Sequence, residues 1–222
     1  QGDLARLCLA GNLEEIAEKD GDKTSAESWF SKAEVRIWTP LSTKGLPISL
    51  NPFVEPPHEL KGEEKIKTWD IIASGFTSLA DYNPEKADGK QVKALLNQIL
   101  THGNRMGIEL NDFQKLSRAI KEPRKIFMKD KLANNKNEDQ INWDLFVEQN
   151  NLPLFEDILP KSKREELARR LSTYSSGVNT LLFNYGTPMN IDVMCRPMEK
   201  DKIPVNIIYL NSIQSDAQKH YF

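Results

Sequence analysis

The placement of the strand-like segments constrains this chain most, because they occur only near its two ends. Near the C-terminus, Val205 and Ile207–Leu210 form a short apolar, β-branched run without polar alternation, typical of a parallel strand covered on both faces. Near the N-terminus, Glu34–Thr39 has the composition of a strand that ends at Pro40. The middle of the chain lacks such runs. The sequence therefore predicts an α/β fold with helix content well above strand content.

This order divides the chain into three regions. Residues 1–59 are predicted to be the N-terminal part of an α/β core, residues 60–184 a mainly helical insertion, and residues 185–222 the return to the core. Within the first region, Leu46–Phe53 is predicted to be an edge strand or an extended cover, because its two prolines cannot donate to a strand ladder. The sheet is thus expected to be interrupted by the insertion.

Apolar residues at three- and four-residue spacing predict the helices. The predicted helices are Asp3–Leu9, Leu13–Lys19, Ser25–Ala33, Glu63–Tyr82, Asp88–His102, Leu110–Ile120 and Ser162–Tyr174. The polar stretch Asn134–Gln140 predicts a loop.

Both ends of the sequence predict a piece of a longer protein. Ser215–Gln218 fits a helix capping box, yet the chain ends before that helix is complete. At the other end, Gln1–Asp3 lacks a start methionine.

Composition excludes several classes of protein. The 30 basic and 32 acidic residues nearly cancel, so no global field attracts nucleic acid or membrane. No apolar run reaches the length of a membrane span, and no secretion signal opens the chain, so a cytoplasmic protein without membrane partners is predicted. Cys8 and Cys195 have apolar neighbours and are predicted to be ordinary buried thiols. The three histidines are isolated from one another, which gives no support to a metal site.

The chain carries no complete nucleotide site of its own. A phosphate-binding loop needs a glycine-rich turn followed by Lys and Ser or Thr, whereas Gly89-Lys90 is followed by Gln91 and lacks the earlier glycine. The two predicted strands end in Thr39-Pro40 and Leu210-Asn211 rather than in the acids that hold magnesium. We therefore expect the isolated chain to bind no cofactor and to be inactive.

Four segments in sequence order resemble HerA-type ATPases, which are relatives of the FtsK translocases. The opening Gln1–Leu4 resembles the end of their second core strand, and Leu46–Phe53 resembles the short strand and Asn-Pro that follow. Lys163–Leu182 is similar to the helix that closes their insertion, and Ile203–Phe222 to the strand and helix before the acidic Walker B strand. The resemblance covers both ends of the chain and the helical middle only loosely.

The resemblance implies a partial P-loop NTPase-like parallel sheet, cut from between the two halves of the nucleotide site. The parent protein would be a hexameric ATPase that uses ATP and Mg²⁺ to move along DNA. Asp3 would lie near the phosphates or magnesium, or alternatively would cap an N-terminal helix. Arg169, Arg170 and, more weakly, Arg196 would reach the nucleotide of a neighbouring subunit, or alternatively would belong to a solvated helix face.

The basic segment, Lys115–Lys136, carries enough local positive charge to contact nucleic acid. It contains eight basic residues against only Glu122 and Asp130. Those basic residues are Lys115, Arg118, Lys121, Arg124, Lys125, Lys129, Lys131 and Lys136. They could track the phosphates of DNA, with Phe113 and Phe127 either packing beneath them or stacking on bases. The alternative is a solvated charged surface over the core of the insertion.

A second function of a different class remains open. The chain could be a complete helical interaction module without nucleotide chemistry, whose strand-like ends simply pair with each other.

Overall fold

The computed structural model describes residues 13–19, 21–129, 142–213 and Lys219. They form two compact units. The first combines the described residues up to Asn51 with those from Leu181 to Ile213, and the second runs from Pro52 to Thr180. Helical residues far exceed strand residues, and the strands pair in parallel, which confirms the predicted α/β class.

In chain order the helices are α1 (Leu13–Glu18), α2 (Lys23–Lys32), α3 (Gly62–Leu79), α4 (Ala87–Arg105), α5 (Phe113–Lys121), α6 (Pro123–Phe127), α7 (Trp143–Gln149), α8 (Phe155–Ile158), α9 (Lys161–Ser172), α10 (Asn179–Asn184) and α11 (Ile191–Cys195). The strands are β1 (Ala33–Trp38), β2 (Ile48–Ser49), β3 (Thr187–Pro188) and β4 (Ile203–Ile208). Short 3₁₀ turns occupy Thr173–Ser175 and Leu210–Ser212. The predicted helix Asp3–Leu9 and the predicted capping box Ser215–Gln218 lie outside the described residues.

The first unit is organised around two short pairs of parallel strands. β1 lies beside β4, with Ala33 opposite Ile203 and Trp38 opposite Ile208, and β2 lies beside β3. The expectation that the second strand is covered on both faces was wrong, because β4 is half-exposed along its length and Ile203 is 64% exposed. In the described part of the chain, β4 pairs along one edge only, and no second layer buries it completely.

Alternation along β1 places a buried ion pair on one face of the sheet. Glu34 and Arg36 are 8% and 3% exposed, and the Arg36 Nε atom donates to Glu34 Oε1 at 2.6 Å. Arg36 Nη2 also donates to the backbone carbonyl of Arg196 at 2.6 Å. The other Glu34 oxygen accepts the backbone N–H groups of Met198 and Glu199 at 2.8 and 2.9 Å. This pair therefore fastens the segment after α11 to β1.

Two further groups complete the polar face of this sheet. The Trp38 indole N–H donates to the side-chain oxygen of Asn206, and the Asn206 amide donates to the carbonyl of Met194. α11 itself buries no side chain. The prediction that Cys195 is a buried thiol was therefore wrong, since this cysteine ends α11 and is exposed. Cys8 lies outside the described residues.

The second unit has an aromatic core of its own. Phe53, Phe76 and Phe113 form a cluster with ring centroids 5.0 to 6.0 Å apart, and Tyr174 lies 5.3 Å from Phe113. The Tyr174 hydroxyl donates to the carbonyl of Leu79 at 2.8 Å. The Tyr174 hydroxyl, just after α9, therefore satisfies a carbonyl that the last turn of α3 leaves unpaired. None of the helices in the described ranges has the length and apolarity needed to cross a membrane.

The Glu34–Arg36 pair generates a pH prediction. Hydrogen bonds from Arg36 and from the Glu199 and Met198 amides lower the pKa of Glu34 from 4.5 to about 2. Because the pKa of Glu34 is depressed on folding, its contribution to stability is complete above pH 4.5 and is lost as the pH falls toward 2. Glu34→Gln should unfold at lower urea than the wild type at pH 7, and the gap should narrow between pH 4.5 and pH 2.

Urea unfolding followed by circular dichroism at pH 7, 4.5 and 3 measures this gap. Glu199→Gln is the matched control, because the Glu199 backbone amide contacts Glu34 whereas its side chain is exposed. A gap that stays constant over this pH range would show that Glu34 titrates normally in the folded chain.

Gly89 provides a test of packing in the second unit. A Cβ atom at this position would lie 1.8 Å from the backbone oxygen of Asn83, which cannot move without opening the turn before α4. Gly89→Ala should therefore lower the free energy of unfolding by about 3 kcal/mol, as overpacking against a fixed backbone does. Lys90→Ala, at the exposed neighbouring position, should change it by no more than about 0.5 kcal/mol. Equal unfolding midpoints for the two variants would contradict the close approach of Gly89 to the Asn83 carbonyl.

Candidate nucleic-acid interface

The basic segment folds as α5 and α6. The apolar residues of α5 are buried, which turns its basic positions outward. Asp112 caps the helix by accepting the Lys115 backbone N–H at 2.7 Å, and Pro123 begins α6. The exposed basic side chains are those of Arg118, Lys121, Arg124, Lys125 and Lys129, and that of Lys115 is half-buried. Lys131 and Lys136 lie outside the described residues.

These cations differ in how far nearby carboxylates neutralise them. Lys115 reaches Glu109 at 3.2 Å, and Lys125 reaches Glu122 at 2.9 Å and lowers the pKa of that carboxyl. Within the described ranges, neither Arg118 nor Lys121 forms an ion pair with a carboxylate. Arg118 and Lys121 of α5 are therefore not held at ion-pair distance by a described carboxylate, although Lys121 also helps to lower the pKa of Glu122.

The two aromatic residues of the segment lie beneath the charged surface. Phe113 and Phe127 are 5% and 4% exposed. Phe113 belongs to the aromatic core of the second unit, and Phe127 packs against Phe155 with ring centroids 5.3 Å apart. Of the two sequence-based alternatives, packing is correct, because buried rings have no free face on which a base could stack.

A cleft runs between α5 and α9 beside Arg118 and Lys121. It has a volume of about 420 Å³. Its lining residues are Ser117, Arg118, Lys121, Glu165, Ala168, Arg169 and Ser172. The structure thus brings Arg169, which the resemblance assigned to a nucleotide contact, together with Arg118 and Lys121 of the basic segment.

Arg169 and Arg170 share one carboxylate but differ in availability. Both donate to Glu166, at distances of 2.7 to 3.0 Å. The Arg170 guanidinium also donates to the Ala80 carbonyl at 3.0 Å and lies 4.7 Å from the centroid of the Tyr82 ring. The hydrogen bond to Glu166 raises the pKa of Arg170. Arg170 is therefore engaged in fastening α9 to the end of α3, whereas the Arg169 side chain is 70% exposed.

The remaining predicted site residues lie elsewhere in the chain. Arg196 is exposed in the first unit, and its backbone carbonyl accepts the hydrogen bond from Arg36. Asp3 lies outside the described residues. In the part of the chain that the structure covers, no group of three or more His, Cys, Asp or Glu side chains could hold a metal ion.

Sequence reasoning missed Arg164, which holds the two walls of the cleft together. Arg164 is 3% exposed and donates to the Ile120 carbonyl at the end of α5 at 3.3 Å. It also pairs with Glu156 of α8 at 3.0 Å. A signal was present, because Arg164 precedes Leu167 by three residues and Leu171 by seven, and so lies on the buried face of α9.

No family model, curated protein or solved structure matches this chain.

Arg164 generates a stability prediction. Arg164→Ala leaves the Ile120 carbonyl without its donor and removes packing between α5 and α9. The loss in the free energy of unfolding should be about 2 kcal/mol, since an unpaired buried polar group costs about 1–3 kcal/mol. Lys161→Ala, at an exposed position of the same helix, should cost less than about 0.5 kcal/mol. Chemical unfolding measures both, and a neutral Arg164→Ala would show that α9 does not depend on this contact.

Proposed function

We propose that this chain is the central part of an ATP-driven DNA translocase resembling the HerA and FtsK ATPases. Its helical insertion contacts the phosphates of DNA through α5, α6 and the adjoining cleft. The single observation that carries the DNA contact is the convergence of three exposed cations, Arg118, Lys121 and Arg169, on one cleft of the insertion. The ATPase assignment rests on the resemblance of the two ends of the chain to HerA-type ATPases.

The distribution of charge supports a phosphate contact. The whole chain has a formal net charge of −2, so positive charge must be concentrated locally to attract DNA. Around the cleft, Arg118 and Lys121 lack ion-pair partners in the described part of the chain, and Glu165 is the carboxylate among the lining residues. Cations of this kind bind nucleic acid by displacing the counterions of its phosphates.

The first unit supplies part of the proposed ATPase core. β1 and β4 are parallel neighbours, as a P-loop NTPase-like sheet requires. In the proposed parent, a hexamer, ATP and Mg²⁺ would occupy a site completed by other segments, with Asp3 near the phosphates. Arg169 and Arg196 are the better candidates for a neighbouring subunit's nucleotide, because the Arg170 guanidinium is engaged by the Ala80 carbonyl and the Tyr82 ring.

A helical interaction module without nucleotide chemistry is the second candidate. This candidate is favoured by the aromatic core of the second unit, which is built from that unit's own residues. Isothermal titration calorimetry with ATP and Mg²⁺ tests whether this chain alone binds the nucleotide. Both candidates expect no tight ATP binding, so tight binding would contradict the claim that the nucleotide site lies in other segments.

The DNA contact is tested by the salt dependence of binding. Fluorescence anisotropy with a labelled 20-base-pair duplex between 25 and 200 mM NaCl should show affinity falling as salt rises. Arg118→Ala combined with Lys121→Ala should weaken binding to any sequence and reduce the slope of log K against log salt by about 2, since each lost phosphate contact removes about 1.

Lys86→Ala combined with Lys90→Ala is the matched control. It removes the same charge from exposed positions that do not line the cleft, so the slope should stay at the wild-type value. The DNA contact would be refuted if the wild-type chain failed to bind duplex or single-stranded DNA at 25 mM salt. It would be refuted equally if the two double variants lost the same affinity.

A further inference from the structure

A second cavity of the helical unit lies between the turn that follows α4 and helix α6. Its volume is about 540 Å³, within the range of about 300–1,000 Å³ that small-molecule sites occupy. We call it the α6 cavity. Arg118 lines both this cavity and the α5–α9 cleft, but the other lining residues of the two differ.

The turn that forms one wall of the α6 cavity is held by its own backbone. After α4, the Gly107 N–H donates to the Asn104 carbonyl at 3.1 Å, and the Ile108 N–H donates to the Gly103 carbonyl at 2.8 Å. This pair of hydrogen bonds closes a helix in a Schellman motif, whose left-handed position is taken here by Gly107 with φ +68°. The wall is therefore in place before any ligand arrives.

The walls of the α6 cavity are largely apolar, and their side chains are accessible. Met106, Ile108 and Leu110 come from the turn, and Ile126 comes from α6. All four are half-buried, so part of each side chain still faces solvent. Phe127 lies behind them, fixed by its contact with Phe155. An apolar group that entered the cavity would remove this remaining apolar surface from water, which is favourable.

Two cations at the same cavity are not held by a described carboxylate. Lys115 is engaged, because it donates to Glu109 at 3.2 Å and to the side chain of Asn111 at 2.8 Å. Arg118 and Lys129 also line the cavity, and both are exposed. Within the described ranges neither of these two forms an ion pair with a carboxylate. The cavity therefore combines an apolar wall with positive charge.

This combination favours a carboxylate with an apolar body over the backbone of a nucleic acid. The planar fork of an arginine matches the two oxygens of a carboxylate, and a lysine adds a second positive charge. A DNA phosphate could meet the same cations, but it brings no apolar group to cover Ile108 and Ile126. A ligand with both parts satisfies both features of the cavity.

We propose that the α6 cavity is a binding site for a small carboxylate with an apolar body, such as a medium-chain fatty acid. Arg118 and Lys129 bind the carboxylate, and the chain lies against Met106, Ile108, Leu110 and Ile126. This site goes beyond the proposed function and does not depend on it, because its selectivity comes from apolar residues that DNA does not use.

The test uses butanoate, hexanoate and octanoate, with 1-octanol as the uncharged counterpart of octanoate. In ¹⁵N-correlation spectra, octanoate should shift the amide signals of residues 106–110 and 126–129 in a saturable way. Affinity should rise about fourfold for each added CH₂ group, as expected where each group is buried. 1-Octanol should bind about tenfold more weakly than octanoate, since it lacks the charge that the cations bind.

Two variants test the two parts of the α6 cavity separately. Ile126→Ser should weaken octanoate binding about tenfold by removing apolar surface from the wall. Its matched control is Ile71→Ser, at a 70% exposed position of α3 that does not line the cavity, and this variant should bind octanoate as the wild type does. Lys129→Gln should weaken octanoate but leave 1-octanol unchanged, a difference that a general loss of structure would not produce.

The outcomes separate this site from the DNA contact. The carboxylate site is overturned if octanoate does not shift the cavity amides, if affinity does not rise with chain length, or if Ile126→Ser and Ile71→Ser bind octanoate equally. DNA binding that persists in any of these cases leaves the proposed function standing. Octanoate binding without any DNA binding overturns the DNA contact alone. Ile126→Ser should bind DNA as the wild type does, because Ile126 carries no charge.

Discussion

The contact between α5 and α9 is the constraint on which the candidate site depends, and a buried arginine maintains it. Arg164 is 3% exposed, so its charge is largely removed from water. Its partner Glu156 is 53% exposed, so the ion pair is buried on one side only. Removing a charge from water is costly, and this pair gains less Coulomb energy than a fully buried one. What Arg164 adds beyond charge is a donor for the Ile120 carbonyl, which fixes the end of α5 against α9.

Arg36 is the corresponding buried arginine of the first unit. Both arginines are buried, and each forms an ion pair with a glutamate. Each also donates a second N–H group to a backbone carbonyl that has no partner within a helix or strand. The planar guanidinium suits this task because its five donors point in fixed directions, whereas a lysine offers a single charged centre. Arg36 thus joins β1 to the end of α11, and Arg164 joins α9 to α8 and to the end of α5. Glu34 extends the arrangement by accepting two backbone amides after α11.

The periodicity of the sequence predicted the regular elements and missed the polar contacts between them. α3, α4, α5 and α9 lie within a few residues of their predicted ranges, because their apolar residues repeat at helical spacing. The contact of Arg164 with the Ile120 carbonyl could not be read from periodicity, since it depends on how α9 packs against the end of α5. Cys195 was judged by its apolar neighbours in sequence, yet α11 buries none of its side chains. The short helices α6 to α8 carry too few turns for a periodic signal.

The cations of the cleft lie at helix ends whose carbonyls are bound by other side chains. Arg118 and Lys121 lie in the last turn of α5, and Arg169 lies in the last turn of α9. Unpaired carbonyls make a helix C-terminus partly negative, which would repel an anion. Arg164 covers the Ile120 carbonyl of α5, and Thr173 and Ser172 donate to carbonyls in the last turn of α9. These three carbonyls therefore have hydrogen-bond donors other than Arg118, Lys121 and Arg169, so none of the three cations has to bind them.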